Sequence, residues 1–313
     1  RPDIVTADYH GAVEIGTISV LLGGGSGGGG GGGSCDRTDY GAGFGASHVV
    51  IADLDGDGAP DLAVANEDRT VSVLRNLGSG DYAPAVAYPI GMLAQAVAVG
   101  DLDGDGSPDL AVANFVESRV TPLLNDGRGR FIVRPDVSVG LHPRFLALAD
   151  LDQDGRADII TADYGDAIAP GTVTVLRSKG DMGTLTRRGG GRGPGGPGAP
   201  RDDRYHKPET YQAGVGPYHV VAADLDRDGR PDLVVSNYDG HSISVLMGIG
   251  HGQFKPRTDY PVGVTTWGLA AGDLDLDGMP DVVVGNGYQG LISVFRGRGG
   301  GVRRATVFHR GGA

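Results

Sequence analysis

Five short loops, in which aspartates alternate with other residues, carry the densest group of potential ligands in the sequence. The first loop spans residues 53–61 and reads DLDGDGAPD, with carboxylates at positions 1, 3, 5 and 9 and a glycine at position 6. With a main-chain carbonyl at position 7, this spacing wraps oxygen ligands around a hard cation. An all-oxygen set favours Ca²⁺ over Zn²⁺, which prefers His and Cys, and over Mg²⁺, which retains its waters. The loop therefore predicts a calcium site.

The same pattern occurs in five loops, each of which supplies four aspartates and one main-chain carbonyl. The predicted ligands are Asp53, Asp55, Asp57, Asp61 and the carbonyl of Ala59; Asp101, Asp103, Asp105, Asp109 and that of Ser107; Asp150, Asp152, Asp154, Asp158 and that of Arg156; Asp224, Asp226, Asp228, Asp232 and that of Arg230; and Asp273, Asp275, Asp277, Asp281 and that of Met279.

The charge of the chain favours metal binding over turn formation alone as the reason for these aspartates. We expect the metal to have a structural role. Asp and Gly are common in turns, but 20 of the 39 acidic residues lie in these five windows, where like charges repel without a cation. Five Ca²⁺ ions would change the formal net charge from −12 to −2. The predicted sites are coordinatively closed, and no His, Ser or Lys recurs beside them, so we expect no enzymatic activity.

The loops mark a repeat of about 49 residues. Their first aspartates lie 48, 49, 74 and 49 residues apart, which indicates one insertion of about 25 residues. Within one unit, four strand-length segments occupy residues 49–52, 62–65, 71–74 and 85–88, and β-branched or alternating residues favour strands there. Residues 2–8 match the middle of a sixth unit.

Four strands per repeat predict an all-β fold, a β-propeller of four-stranded antiparallel blades. Six blades are visible and seven are possible, and residues 1–313 form a single domain in this interpretation. The first blade lacks its first strand and loop, so ring closure is expected to need residues outside this chain or to leave an open seam. The expected blades span residues 1–45 (partial), 46–93, 94–142, 143–216, 217–265 and 266–313.

Two stretches interrupt the repeat, and both follow the third strand of a unit. Residues 23–34 are mostly glycine, and residues 178–207 are rich in Gly, Pro and Arg. We expect both to be flexible insertions, although the second could also be a basic docking loop. Cys35 is the only cysteine, which excludes an intrachain disulfide and leaves an incidental thiol or an intermolecular bridge.

The run Asp-x-Asp-x-Asp-Gly-x-x-Asp between two apolar segments, followed by Ser-Val-Leu, closely resembles FG-GAP and VCBS-type repeats. Such repeats build the calcium-bearing propellers of integrin α-subunits, some fungal lectins and many bacterial or algal surface proteins. The resemblance implies six or seven blades, Ca²⁺ between the first and second strands of each blade, and a secreted or cell-surface location.

A ligand-binding site is expected where the repeats differ from one another. The residues six and five positions before each loop enter the innermost strand, so on a propeller they would ring the central mouth of one face. His48, Arg144, Tyr218, His219 and Trp267 stand at these positions, and they would suit stacking on a sugar or holding a peptide. The alternative is that they are ordinary residues between loop and strand.

These features predict a calcium-stabilised extracellular binding or adhesion module that recognises protein or glycan. Two alternatives remain, a structural subunit of an extracellular fibre, sheath or surface assembly and the non-catalytic propeller of a larger secreted hydrolase or lyase. The net charge of −12 argues against nucleic acid as a partner. No apolar run is long enough to span a bilayer, so no direct membrane span is expected.

Overall fold

The computed structural model describes residues 3–8, 15–22, 36–78, 80–166, 171–179, 204–287, 290–299, 301–303 and 306–308. Every regular element in these ranges is a β-strand. The described residues accordingly contain no helix of the length and hydrophobicity that a bilayer crossing requires.

The described strands form six antiparallel sheets of three to five strands, which follow one another along the chain, and two small two-stranded ribbons. The first has three strands, β1 (Ile4–Asp8), β2 (Ile15–Leu22) and β3 (Asp36–Phe44). The second has four, β4 (Ala46–Ala52), β5 (Asp61–Asn66), β6 (Thr70–Leu74) and β7 (Val86–Pro89). The third comprises β8 (Ala94–Gly100), β9 (Asp109–Asn114) and β10 (Arg119–Asn125), and β10 also pairs with β11 (Phe131–Val133) and β12 (Val137–Ser138).

The last three sheets repeat the four-stranded arrangement. The fourth comprises β13 (Pro143–Ala149), β14 (Asp158–Asp163), β15 (Thr172–Leu176) and β16 (Glu209–Gln212). The fifth comprises β17 (Pro217–Ala223), β18 (Asp232–Asn237), β19 (Ser242–Leu246) and β22 (Thr258–Pro261), with the small ribbon β20 (Gly248–Gly250) and β21 (Gln253–Phe254) inserted. The sixth comprises β23 (Thr266–Gly272), β24 (Asp281–Asn286), β25 (Leu291–Phe295) and β28 (Thr306–Phe308), with the ribbon β26 (Gly297–Arg298) and β27 (Gly301–Val302).

The core lies between successive sheets. In the second sheet, Ala63 and Val71 face the third sheet, where they meet Leu110 and Leu123. Small side chains on one sheet thus receive large ones from the next, and this allows close packing. The strands that follow the loops, such as β5 and β9, are buried on both faces.

The first strands of successive sheets lie side by side, with β4 beside β8, β8 beside β13, β13 beside β17 and β17 beside β23. Sheets that share an axis in this way are the blades of a propeller. The fold class predicted from the sequence is therefore confirmed, and the chain is an all-β propeller of antiparallel blades.

The first and last sheets expose side chains that the middle sheets bury. Ile292 is 48% exposed, whereas Ile243, at the same place in the fifth sheet, is fully buried. Ile4 is 58% exposed, and its counterpart Leu62 is fully buried.

The two predicted insertions fall largely outside the described residues, as does Cys35. Residues 23–34 lie there entirely, and so do residues 180–203 of the second insertion. The ends of the second insertion are paired. Ser178 forms a β-bridge with Tyr205, and the Lys179 amide donates to the Arg204 carbonyl at 2.7 Å.

Candidate metal sites and the mouth of the propeller

Each aspartate loop folds around the carboxylate of its first residue. In the first loop, the Gly56 amide donates to Asp53 Oδ1 at 2.8 Å and the Gly58 amide donates to Asp53 Oδ2 at 2.9 Å. The bond from the glycine at position 6 recurs at 2.8–2.9 Å in all five loops, to Asp53, Asp101, Asp150, Asp224 and Asp273. The glycines at this position have a positive φ, for example 89° at Gly58, which an L side chain adopts only with strain.

The aspartate at position 9 joins the loop to the second and third strands of its blade. Asp61 is fully buried, its Oδ2 accepts the Leu54 amide at 2.9 Å, and its Oδ1 accepts the Asn76 amide at 2.7 Å. The same two bonds are made by Asp109, Asp158, Asp232 and Asp281. The sequence predicted this aspartate as a metal ligand that also begins the second strand and sets its direction. The structure shows that this aspartate also accepts hydrogen bonds from two backbone amides at the loop end of the blade.

Five groups of carboxylates within the described residues are arranged closely enough to share one cation. The oxygens of each group lie within 4.8 Å of one another, and two oxygens at about 2.4 Å from one ion can be no more than about 4.8 Å apart. The groups are Asp53, Asp55 and Asp57; Asp101, Asp103 and Asp109; Asp150, Asp152 and Asp158; Asp224, Asp226 and Asp232; and Asp273, Asp275 and Asp277.

Positions 1 and 3 belong to every group, and the third member is position 5 or position 9. In two of the three loops that use position 9, an arginine at position 7 engages the carboxylate at position 5. Arg156 bonds Asp154, and Arg230 Nη2 lies 2.7 Å from Asp228. The donor set therefore fits a hard divalent cation in all five loops. Ligation by the carbonyls at position 7 stays a prediction.

Burial perturbs several of the position 9 carboxyls. Removal from water raises the pKa of Asp109 and Asp158 to about 7 and that of Asp232 to about 6, because the charged form loses its hydration. A bound cation would favour the ionised form of these groups.

The predicted ligand residues lie at the opposite end of the first strands from the loops, either at a β-bulge or directly after it. The register of β4 against β5 shifts between Ala46 and His48, which makes Ser47 the additional residue. Equivalent shifts place Gln95, Arg144 and Tyr218 in the same position of their sheets, and a wider shift between Thr266 and Leu269 includes Trp267. Bulges turn side chains away from the regular pleat and are common beside functional sites.

Two of the predicted residues, the histidines, lie against Phe145. Its ring stacks on His219 at 3.6 Å between centroids and meets His48 edge to face at 5.0 Å. Burial lowers the pKa of His219 to about 3, so this imidazole is neutral at physiological pH. The three rings join the second, fourth and fifth sheets near the axis.

The other three predicted residues, Arg144, Tyr218 and Trp267, belong to a second cluster, which we call the mouth platform. It also contains Phe115, Tyr164 and Tyr238. The guanidinium of Arg144 lies 4.3 Å from the Phe115 ring centroid, 5.2 Å from that of Tyr164 and 5.8 Å from that of Tyr218. The rings of Tyr218, Tyr238 and Trp267 lie 5.7–6.2 Å from one another.

Sequence reasoning missed Phe115, Tyr164 and Tyr238, although a signal was present. Each directly follows the Asn or Asp that ends a second strand, and antiparallel pairing returns that end to the start of the first strand, as the pairing of Pro143 with Asp163 shows. The last blade has Gly287 at this place, where a larger side chain would collide with the Trp267 ring.

A separate cleft of about 460 Å³ lies between the outer strands of the fourth and fifth sheets. Its walls include Tyr211, Phe254, Lys255 and Arg257. A ligand could also bind in this cleft.

Comparisons with known proteins agree with this geometry. The model of the FG-GAP-like repeat matches residues 53–112, 101–161 and 224–284. No curated protein sequence matches the chain significantly.

Solved structures share the fold at low sequence identity. A functionally unknown protein from Desulfotomaculum acetoxidans DSM 771 has a TM-score of 0.62 at 10% identity, over 98% of this chain and 86% of that one. A protein from Lactobacillus plantarum has a TM-score of 0.57 at 17% identity, over 98% and 81%. BBS1N, crystallised in complex with ARL6DN, has a TM-score of 0.55 at 12% identity, over 97% and 79%.

Proposed function

Because the chain belongs to the FG-GAP-like repeat family, whose repeats match more than half of its length, we propose that it is a calcium-stabilised extracellular binding module. Its ligand, a protein or a glycan, binds at the mouth of the propeller, and the module is not an enzyme.

The observation that carries this proposal is the contrast between the two ends of the blades. The loops are nearly identical in sequence and in hydrogen bonding, and their oxygens are committed to the cation. The bulge positions at the other end differ in every blade, and three of them contribute Arg144, Tyr218 and Trp267 to one cluster. Aromatic and arginine side chains dominate the energetics of many binding surfaces.

Calcium supports this function by fixing the shape of the blades. Each loop links the first and second strands, and its position 9 aspartate also accepts a backbone amide at the end of the third strand or just beyond it. A cation that neutralises the loop therefore stabilises the whole blade by mass action.

The comparisons support a general binding role. FG-GAP repeats are often extracellular, and the similar BBS1N propeller was crystallised with a protein partner. The proposal that the ligand is a glycan is based on the aromatic side chains at the mouth.

An assembly role is the second candidate. Leu276 is 88% exposed and Leu274 54%, whereas Leu225, the counterpart of Leu274 in the fifth sheet, is fully buried. Exposed apolar side chains of this kind suit lateral contacts between subunits.

The proposal is tested with a glycan array and a displayed-peptide library in saturating Ca²⁺. We expect wild-type protein to bind a defined set of ligands, and the variant Tyr218→Ala/Trp267→Ala to lose that binding while its calcium-dependent melting temperature stays unchanged. If this variant binds as the wild type does, the binding site is the cleft or an outer face. If no ligand is found, the assembly role is favoured.

A further inference from the structure

Resting on the proposed function, we infer that the mouth platform binds a carboxylate-bearing sugar, a uronic acid, whose ring stacks on the aromatic residues while Arg144 holds its carboxylate. Three features lead to this inference: the unused donors of Arg144, the arrangement of the Tyr218, Tyr238 and Trp267 rings, and the distance of the mouth from the acidic loops.

Arg144 is held in place, but most of its guanidinium N–H donors make no hydrogen bond within the described residues. Within the described residues, its one hydrogen bond runs from Nη1 to Gln95 Oε1 at 3.2 Å, and no carboxylate forms a salt bridge with it. Its Nε is buried without a partner. A guanidinium has five donors in a planar fork that matches a carboxylate. With Nε buried and one Nη1 donor bonded to Gln95, the remaining Nη donors of Arg144 are free for an anion.

The aromatic residues around Arg144 fix the plane of that fork. Phe115 lies 4.3 Å from the guanidinium carbon, and Tyr164 and Tyr218 flank it at 5.2 and 5.8 Å. Such stacking orients the guanidinium before a ligand arrives, which reduces the entropy lost on binding. The nearby carboxylate of Asp239 accepts the Tyr164 hydroxyl at 2.5 Å, so it has a partner other than Arg144.

The rings of Tyr218, Tyr238 and Trp267 form a surface on which a ligand can lie. Their planes differ by 29–46°, and their centroids are 5.7–6.2 Å apart, which is contact distance between rings. Because these rings touch one another, a side chain of a ligand cannot insert between them, and a ligand must lie on their outer surface. Trp267 is 42% exposed, so the platform offers ring faces and edges that suit the flat apolar face of a pyranose.

A uronic acid combines the two features that this site requires. One sugar unit carries an apolar ring face and, at the edge of that ring, a carboxylate. In the structure, Tyr218 belongs to both parts of the platform, because it contacts the other two rings and lies 5.8 Å from the Arg144 guanidinium.

The acidic loops do not prevent an anionic ligand from binding here. Each seven-residue first strand separates a loop from the mouth by roughly 20 Å, at about 3.3 Å per residue. This exceeds the screening length of about 8 Å at physiological ionic strength. Bound calcium would reduce the charge of the loops further.

The test uses Trp267, the only tryptophan of the chain, whose emission reports directly on the platform. The probes are tetrasaccharides of galacturonic, glucuronic and mannuronic acid, each paired with its methyl ester, at equal free Ca²⁺. We expect at least one acid to bind at least about tenfold more tightly than its ester, because a hydrogen-bonded charge pair contributes more than a neutral contact.

Arg144→Gln should reduce the affinity for that acid to the level of its ester, and Arg144→Lys should restore part of the difference. Arg128→Gln is the matched control, because Arg128 is an exposed arginine in a turn between β10 and β11, at the loop end of its blade, and this substitution makes the same change of charge. It should bind as the wild type does, and all variants should keep their calcium-dependent melting temperature.

Equal affinity for acid and ester, or wild-type affinity for the acid in Arg144→Gln, would overturn the inference. Binding of hexaglutamate with no binding of any uronate would also overturn it and would identify an acidic peptide as the ligand. If no uronate binds while other ligands still depend on Tyr218 and Trp267, the proposed function stands and only the ligand class is wrong.

Discussion

At the scale of single residues, the fourth blade contains a buried carboxyl where four other blades have an amide. Asp163 ends β14 at the place of Asn66, Asn114, Asn237 and Asn286. Its Oδ1 accepts the Thr161 hydroxyl at 2.7 Å, and its Oδ2 accepts the Thr174 hydroxyl at 2.6 Å. Burial nevertheless dominates and raises its pKa to about 7.

This shift predicts a pH-dependent stability that Asp163→Asn removes. The folded state holds the proton more tightly than the unfolded state, so the contribution of Asp163 is fully present below about pH 4 and is lost as the pH rises toward 7. Asp163→Asn should therefore gain up to about 4 kcal/mol over wild type between pH 4 and pH 8. Urea unfolding across this range, in saturating Ca²⁺, measures the difference.

Asp126→Asn provides the comparison, since Asp126 is an exposed carboxylate in a turn. Because Asp126 is not buried, Asp126→Asn should not reproduce the gain expected for Asp163→Asn. If Asp163→Asn and wild type show the same slope of stability against pH, the carboxyl is ionised in the folded protein and the argument is wrong.

At the scale of elements, a blade is stable because both of its faces are covered by neighbours. The third strand shows this most clearly, since its apolar residue is fully buried in the middle sheets at Val71, Val120, Val173 and Ile243. In the sixth sheet, the matching Ile292 is 48% exposed.

The two isoleucines form a matched pair for mutation. Ile243→Ala should lower the free energy of unfolding by about 2–5 kcal/mol, because it creates a cavity between two sheets. Ile292→Ala should cost less than about 1 kcal/mol, since little buried surface is lost. Equal losses in chemical denaturation would show that the outer face of the sixth sheet is covered in solution.

At the scale of the whole molecule, we expect the five groups of carboxylates to make the stability of the fold depend on a cation. Five divalent ions would change the formal net charge from −12 to −2. Asp109, Asp158 and Asp232 have pKa values raised to about 7, 7 and 6 by burial, so without metal they oppose folding more strongly as the pH rises through this range.

Removal of calcium should therefore lower the melting temperature, and it should do so more at pH 8 than at pH 5.5, because protons and Ca²⁺ compete for the same carboxylates. A single site at one hundred times its dissociation constant contributes about 2.7 kcal/mol. Differential scanning calorimetry with and without EDTA, at constant ionic strength, measures the shift. An unchanged melting curve for verified metal-free protein would contradict the calcium assignment.

The sequence alone determined the repeat, the fold class and the positions of the aspartate loops. These features are encoded locally: the ligand spacing lies within nine residues, and the alternation that favours strands lies within one unit of about 49. A pattern that recurs in five loops can be read without knowing how the units pack.

Only the tertiary structure decided what the aspartate at position 9 holds, which side chains the bulges turn outward and which of them meet. Arg144 joins Phe115 from the blade before it and Tyr218 from the blade after it, 29 and 74 residues away along the chain. Local sequence specifies each strand but not the angle between blades or the register shift that aims a side chain. The mouth platform forms because the blades pack around one axis, and that packing is set by contacts between repeats rather than within them.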